Sequence, residues 1–148
     1  MDLGIVGRRA VVCGASTGLG FACARALAAE GAHVTLVSRS EENLRRAAEQ
    51  LSPHATSGVQ WRVADLSKPA GRTALLDACQ STDILVTNAG GPPAVPYMEL
   101  DAAKWHEALE LNFLSAVDLI QGVLPGMIER RFGRIVNITS VTVRTPLE

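Results

Sequence analysis

Cys13-Gly14-Ala15-Ser16-Thr17-Gly18-Leu19-Gly20 is the stretch on which the reading of this chain turns. It follows the short apolar run Ala10-Val11-Val12-Cys13 and opens an alanine-rich run that begins near Leu19. Strand, glycine turn, helix is the setting in which spaced glycines point to a ligand. Glycine lets the backbone turn sharply and approach another molecule, because no Cβ stands in the way. The helix that follows offers free N–H groups and a positive dipole end, both suited to a phosphate. The spacing is G-x-x-x-G-x-G rather than G-x-G-x-x-G.

Outward from that turn, strand-like and helix-like stretches alternate. Arg9 to Cys13 reads as a strand and Leu19 to Ala29 as a helix stopped by Gly31. His33 to Ser38 is β-branched and mostly apolar, as a strand buried on both faces should be. Ser40 is a suitable N-cap for a charged helix from Glu41 to Leu51. Val59 to Ala64 is a third strand, Pro69 to Gln80 a helix with proline in its first turn, and Asp83 to Thr87 a fourth strand. A glycine- and proline-rich loop, Asn88 to Pro96, leads to a long helix starting near Asp101, and Gly133 to Ile138 is a fifth strand. The alternation predicts a parallel α/β sheet, doubly wound with helices on both faces.

Composition narrows the function classes. The 148 residues suit one domain, and 47% hydrophobic with 20% charged residues is ordinary for a packed core. A formal net charge of −1 gives no reason to expect nucleic-acid binding. Cys13, Cys23 and Cys79 form no CxxC pair and read as reduced thiols of a cytoplasmic protein. Cys13, beside the glycine turn, reads as a small buried residue rather than a reactive thiolate. His33, His54 and His106 make no ligand cluster, so no metal is expected. Residues 1–9 do not read as a signal peptide, and no apolar run is expected to approach the length of a membrane span.

The long helix carries two apolar stripes. Trp105, Ala108, Asn112, Ala116, Leu119, Val123 and Met127 share one; Phe113, Val117, Ile120 and Leu124 share the next. Glu107, Glu110, Asp118 and Gln121 fall on the remaining face. The apolar arc is wider than one sheet needs, so residues 101–130 are expected to meet a second copy in a homodimer or homotetramer. Pro125 should weaken or kink the last third. Asn112 lies in line with the core-facing residues and its amide therefore needs partners.

Gly14-x-x-x-Gly18-x-Gly20, Asp65-Leu66, Asn88-Ala89-Gly90, Asn112 and Gly133-Arg134-Ile135-Val136-Asn137-Ile138-Thr139-Ser140 occur in this order, each at a strand end or in the long helix. Together they make the chain resemble the short-chain dehydrogenase/reductase family along nearly all its length. The resemblance implies a Rossmann-like sheet and a reversible hydride transfer between nicotinamide and a carbonyl or secondary alcohol carbon. It implies that Gly14, Ser16, Thr17, Gly18, Leu19 and Gly20 hold the cofactor pyrophosphate. Asp65 and Leu66 would contact the adenine, and Asn88, Ala89 and Gly90 would support the adenosine side. Asp65 on its own serves equally well as a turn cap, and Asn88 as a loop residue bonding its own backbone. Asn112 and Ser140 match the family's catalytic asparagine and serine. Asn88-Ala89-Gly90-Gly91-Pro92-Pro93, Asn137 to Ser140 and Val143-Arg144-Thr145-Pro146 look like a divergent branch, similar to 3-oxoacyl-ACP reductases.

In this architecture an acid after the second strand binds the ribose 2′-OH of NAD, whereas an arginine there accommodates the 2′-phosphate of NADP. Ser38-Arg39-Ser40 occupies the place, without an acid. A guanidinium pairs with a phosphate that a carboxylate would repel, which favours NADP(H) over NAD(H); the bland alternative is that Arg39 is a solvated surface charge. The family's tyrosine and lysine fall beyond Glu148, and Tyr97 is not in their place. The expectation is an incomplete domain over 1–148, apparently truncated after the fifth strand and inactive by itself. The rival readings are a dinucleotide-binding protein or fragment without catalytic activity, and a structural subunit that dimerises through the long helix.

Overall fold

The computed structural model describes residues 3–91 and 95–144. Pro92, Pro93 and Ala94 of the predicted loop, and Thr145 and Pro146 of the branch-like run, lie outside the described residues. Five parallel strands form one sheet in the order β3-β2-β1-β4-β5: β1 (Arg9–Cys13), β2 (His33–Ser38), β3 (Val59–Val63), β4 (Ile84–Thr87) and β5 (Arg134–Asn137). Val12 pairs with Leu36 on one side and Val86 on the other. Helices α1 (Gly18–Ala29), α2 (Glu41–Leu51) and α3 (Pro69–Ala78) connect the first four strands. Between β4 and β5 runs a continuous helix, Ala102–Glu129. It consists of α4 (Ala102–Leu109), a π-helical turn (Glu110–Leu114) and α5 (Ser115–Glu129).

Strand alternation sends side chains to two separate cores. Ala10, Val12, Val34, Leu36, Ile84 and Val86 pack with Ala24 and Ala28 of α1 and with Leu44, Ala47 and Leu51 of α2. Val11, Cys13, Val37 and Leu85 face the other way, onto Leu75 of α3 and Leu119, Val123 and Met127 of α5. The sheet is therefore wound on both faces, as the alternation predicts. The caps agree as well: Ser40 Oγ accepts from the Asn43 amide at 3.3 Å, and Asp101 Oδ1 from the Lys104 amide at 2.9 Å.

The long helix departs from expectation. Leu119, Val123 and Met127 are buried, but Trp105 is 50% and Phe113 60% exposed, and Asn112 is exposed too. The π-helical turn supplies the reason. One extra residue in a turn rotates everything upstream of it away from the buried row, so a stripe drawn at constant period fails there. Pro125 does not end the helix; both it and Gln121, whose carbonyl loses a partner, are exposed. The expectation that no apolar run reaches the length of a membrane span is also corrected. The 28-residue helix Ala102–Glu129, with a mean hydropathy of 1.4 over its most apolar window, would reach by length and composition alone. One row of it, Leu119, Val123 and Met127, packs on the sheet, and 22% of that window is buried.

Candidate functional site

The strand order reverses between β1 and β4, and a crevice opens at the carboxyl ends of strands where such a reversal occurs. The glycine turn leaves β1 there and Asn88 leaves β4. Gly14 and Gly18 have φ of +58° and +60°, a region closed to most side chains. A Cβ on Gly14 would stand 2.6 Å from Asn88 Nδ2, and one on Gly20 would collide with the Gly14 carbonyl. Asn88 donates through Nδ2 to the Gly14 carbonyl at 3.3 Å. Its role is thus to hold the turn in shape, and the expectation that it bonds its own backbone is corrected: its partner belongs to the loop after β1. Cys13 is fully buried behind the turn, and burial pushes its thiol up to about 12, so the neutral form packs as a small apolar group.

Around this turn lies a cleft of about 350 Å³. Gly14, Ser16, Thr17, Ser38, Arg39, Asp65, Leu66, Asn88, Ala89 and Gly90 line it. Four segments far apart in sequence are thereby brought together at one end of the sheet. Gly18, Leu19 and Gly20 are not among the lining residues; Gly20 is buried under the turn it permits, and Leu19 is 67% exposed. Two larger hollows, of about 500 and 490 Å³, open at the opposite end of the sheet around Arg9 and His33. Size alone does not select the site. The switch point and the cradle that a Cβ would fill do.

The electrostatics of the cleft centre on Arg39 and Asp65. Asp65 Oδ1 accepts from the Ser67 hydroxyl at 2.7 Å and the Ser67 amide at 3.1 Å. The Ser67 hydroxyl, foremost, holds the carboxyl below its usual range, and the Arg39 and Lys68 charges lower it further. Asp65 therefore does cap the turn after β3, while staying ionised beside an arginine. Ser40, Asn43, Ala64 and Leu111 also line the cleft and were not singled out from sequence. Ser40 and Asn43 carried a signal, since a helix start directly after Arg39 must sit at the same mouth. Leu111 carried none, because the π-helical turn that aims it leaves no mark in the residue pattern.

The residues matched to catalysis are placed apart. Asn112 lies in the π-helical turn and donates to the Ala108 carbonyl at 3.0 Å, so its amide is satisfied locally rather than in the core. It borders a small hollow of about 50 Å³, continuous in lining with the cleft through Leu66, Asn88 and Ala89. Ser115, whose hydroxyl donates to the Leu111 carbonyl, and Ile138 close that hollow. Ser140 stands beyond the end of β5, exposed, its Oγ accepting from the Thr142 amide at 3.2 Å and the Thr142 hydroxyl at 2.8 Å. It lines neither the cleft nor the hollow.

Comparison with known proteins bears on this arrangement. A family model described as short chain dehydrogenase matches residues 8–148. The uncharacterized oxidoreductase YvaG of Bacillus subtilis is 33% identical over 147 residues, which are 99% of this chain and 56% of YvaG. The crystal structure of L-sorbose reductase from Gluconobacter frateurii, complexed with NADPH and L-sorbose, is 38% identical with a TM-score of 0.93. The match covers 99% of this chain and 57% of that one. A 3-oxoacyl (acyl-carrier-protein) reductase from Agrobacterium tumefaciens with NADP bound is 32% identical, with a TM-score of 0.88, over 97% of this chain and 56% of that one. The chain thus spans little more than half the length of the relatives it matches.

Proposed function

This chain belongs to the short chain dehydrogenase family, and on that premise we propose that residues 1–148 form an NAD(P)-binding unit that holds NADP(H) for hydride transfer to or from a carbonyl or secondary alcohol carbon. The observation that carries the reading is the convergence of Gly14–Thr17, Ser38–Arg39, Asp65–Leu66 and Asn88–Gly90 on one cleft at the switch point. The glycine turn and the start of α1 would hold the pyrophosphate, and Leu66 would lie against the adenine. Arg39 would pair with a 2′-phosphate; Ser38-Arg39-Ser40, at the end of β2, holds no carboxylate to bond a ribose 2′-OH instead. Bound NADP(H) would supply or accept the hydride. Ser140 would donate a hydrogen bond to the reacting oxygen and polarise it, and Asn112 would support a proton path. The substrate is a small carbonyl compound or alcohol, and a 3-oxoacyl thioester of the kind named for one relative falls in that class.

Two coarser features support the setting. Trp105, Leu109, Phe113 and Ile128 are each at least half exposed along the long helix, which suits pairing of this helix with a second copy. All three cysteines are unpaired, which suits a reducing compartment such as the cytoplasm. The test is a titration of NADPH and NADH followed by nicotinamide fluorescence. Arg39→Ala should weaken NADPH roughly tenfold or more, the worth of a charge-assisted phosphate contact, and leave NADH nearly unchanged. Equal loss for both cofactors would remove the 2′-phosphate argument.

A further inference from the structure

Arg72 is buried, at 3% exposure, in a helix turn far from the glycine signature. Its guanidinium uses three of its nitrogens on three different parts of the chain. Nη1 donates to the Leu66 carbonyl at 2.9 Å, Nη2 to Glu110 Oε2 at 3.0 Å, and Nε to Asp118 Oδ2 at 2.7 Å. Leu66 lines the cleft at the end assigned to adenine. Glu110 opens the π-helical turn that also holds Leu111, in the cleft wall, and Asn112. Asp118 belongs to the first turn of α5, just past that π-helical turn. One side chain thus bolts the loop after β3 to both ends of the irregular turn in the long helix.

The physics makes this a joint rather than an ordinary surface pair. A guanidinium is a planar fork whose donors have fixed relative directions, so satisfying three acceptors at once fixes their mutual placement. Asp118 and Glu110 carry two negative charges to its one positive charge; without Arg72 they would repel each other next to an unpaired Leu66 carbonyl. Both carboxylates lie on the face of the helix away from its two apolar stripes and keep 35% and 43% of their side-chain exposure, while the guanidinium between them is buried. Backbone around the joint is tight as well: Gly71, the preceding residue, admits no Cβ against the Asp65 carbonyl.

We propose that Arg72 is a positioning residue of the cleft, holding the Leu66 loop and the π-helical turn of Leu111 and Asn112 in register with each other. The binding consequence rests on the NADP(H) reading above, whereas the mechanical link is a property of the chain alone. Two measurements keep them separate. Amide hydrogen exchange of the ligand-free protein reads the link, and NADPH titration reads its consequence. Arg72→Met should speed exchange both at residues 65–68 and at 110–115. Glu110→Ala, at a residue that does not itself line the cleft and has no bond to residues 65–68, should speed exchange at 65–68 from across the joint. Both variants should weaken NADPH, Arg72→Met by about tenfold. Arg72→Lys, a point charge that cannot span three acceptors, should restore little of either readout. Leu51→Ala, buried in the other core on the opposite face of the sheet, serves as the control for general loss of stability: it should lower Tm with no local change at 65–68. Unchanged exchange at 65–68 in Glu110→Ala, or tight NADPH binding retained by Arg72→Met, would overturn the proposal. Failure of the unmodified protein to bind NADPH would instead overturn the cofactor reading, with the exchange comparison still deciding the link.

Discussion

Gly14 and Asn88 show how a short pattern becomes a site. The glycine is needed because its φ is positive and because Asn88 leaves no room for a Cβ. Gly14→Val should therefore abolish binding of NADPH and NADH alike, in contrast to the selective loss expected of Arg39→Ala. Cys13 gives a prediction in pH. Burial holds its thiol protonated in the folded chain up to about 12, whereas the unfolded thiol releases its proton near its ordinary value of 9.0. The folded state thus binds the extra proton between those values, and stability must fall as pH rises from 9 toward 12. Chemical denaturation across that window should show a decline that Cys13→Ala reduces. An unaltered slope in the variant would assign the decline to other groups.

At the scale of elements, the regular ones were legible because local chemistry and tertiary demand agree. β1, β2 and α2 have the predicted bounds, and Ser40, Asp101 and Gly31 mark helix ends as their residue types suggest. The long helix was legible only in part. Its existence follows from composition, but the π-helical turn, whose first residue Glu110 is bonded to Arg72 from α3, leaves no mark in the residue pattern. That is why a stripe of constant period puts Asn112 in line with the core-facing residues, whereas it is exposed. The buried row and the exposed row should now behave differently. Leu119→Ala should cost about 3 kcal/mol in denaturant unfolding, the range for a buried leucine left as a cavity. Ile128→Ala, 66% exposed, should stay within about 0.5 kcal/mol in dilute protein. A large loss for Ile128→Ala under those conditions would mean the exposed row is covered.

The whole molecule is a sheet with a reversal point, and the proposed site lies at the reversal rather than in the larger hollows at the opposite end. The cleft was legible at this scale because every contributing segment leaves a strand at its carboxyl end. Ser140 and Asn112 are singled out by resemblance alone; Asn112 borders the small hollow beside the cleft, and Ser140 lines neither. Phe113→Glu, introduced into the exposed apolar row, should shift the mass seen by light scattering from oligomer to monomer. A monomer before substitution would remove the paired-helix reading. NADPH oxidation with a panel of small carbonyl compounds separates hydride transfer from binding alone. The most direct test of the central claim, that four distant segments form one dinucleotide cleft, is an amide NMR titration with NADPH. Resonances at 14–20, 38–40, 65–66 and 88–90 should shift together with one dissociation constant. Shifts confined to the Arg9 and His33 end of the sheet, or none, would contradict it.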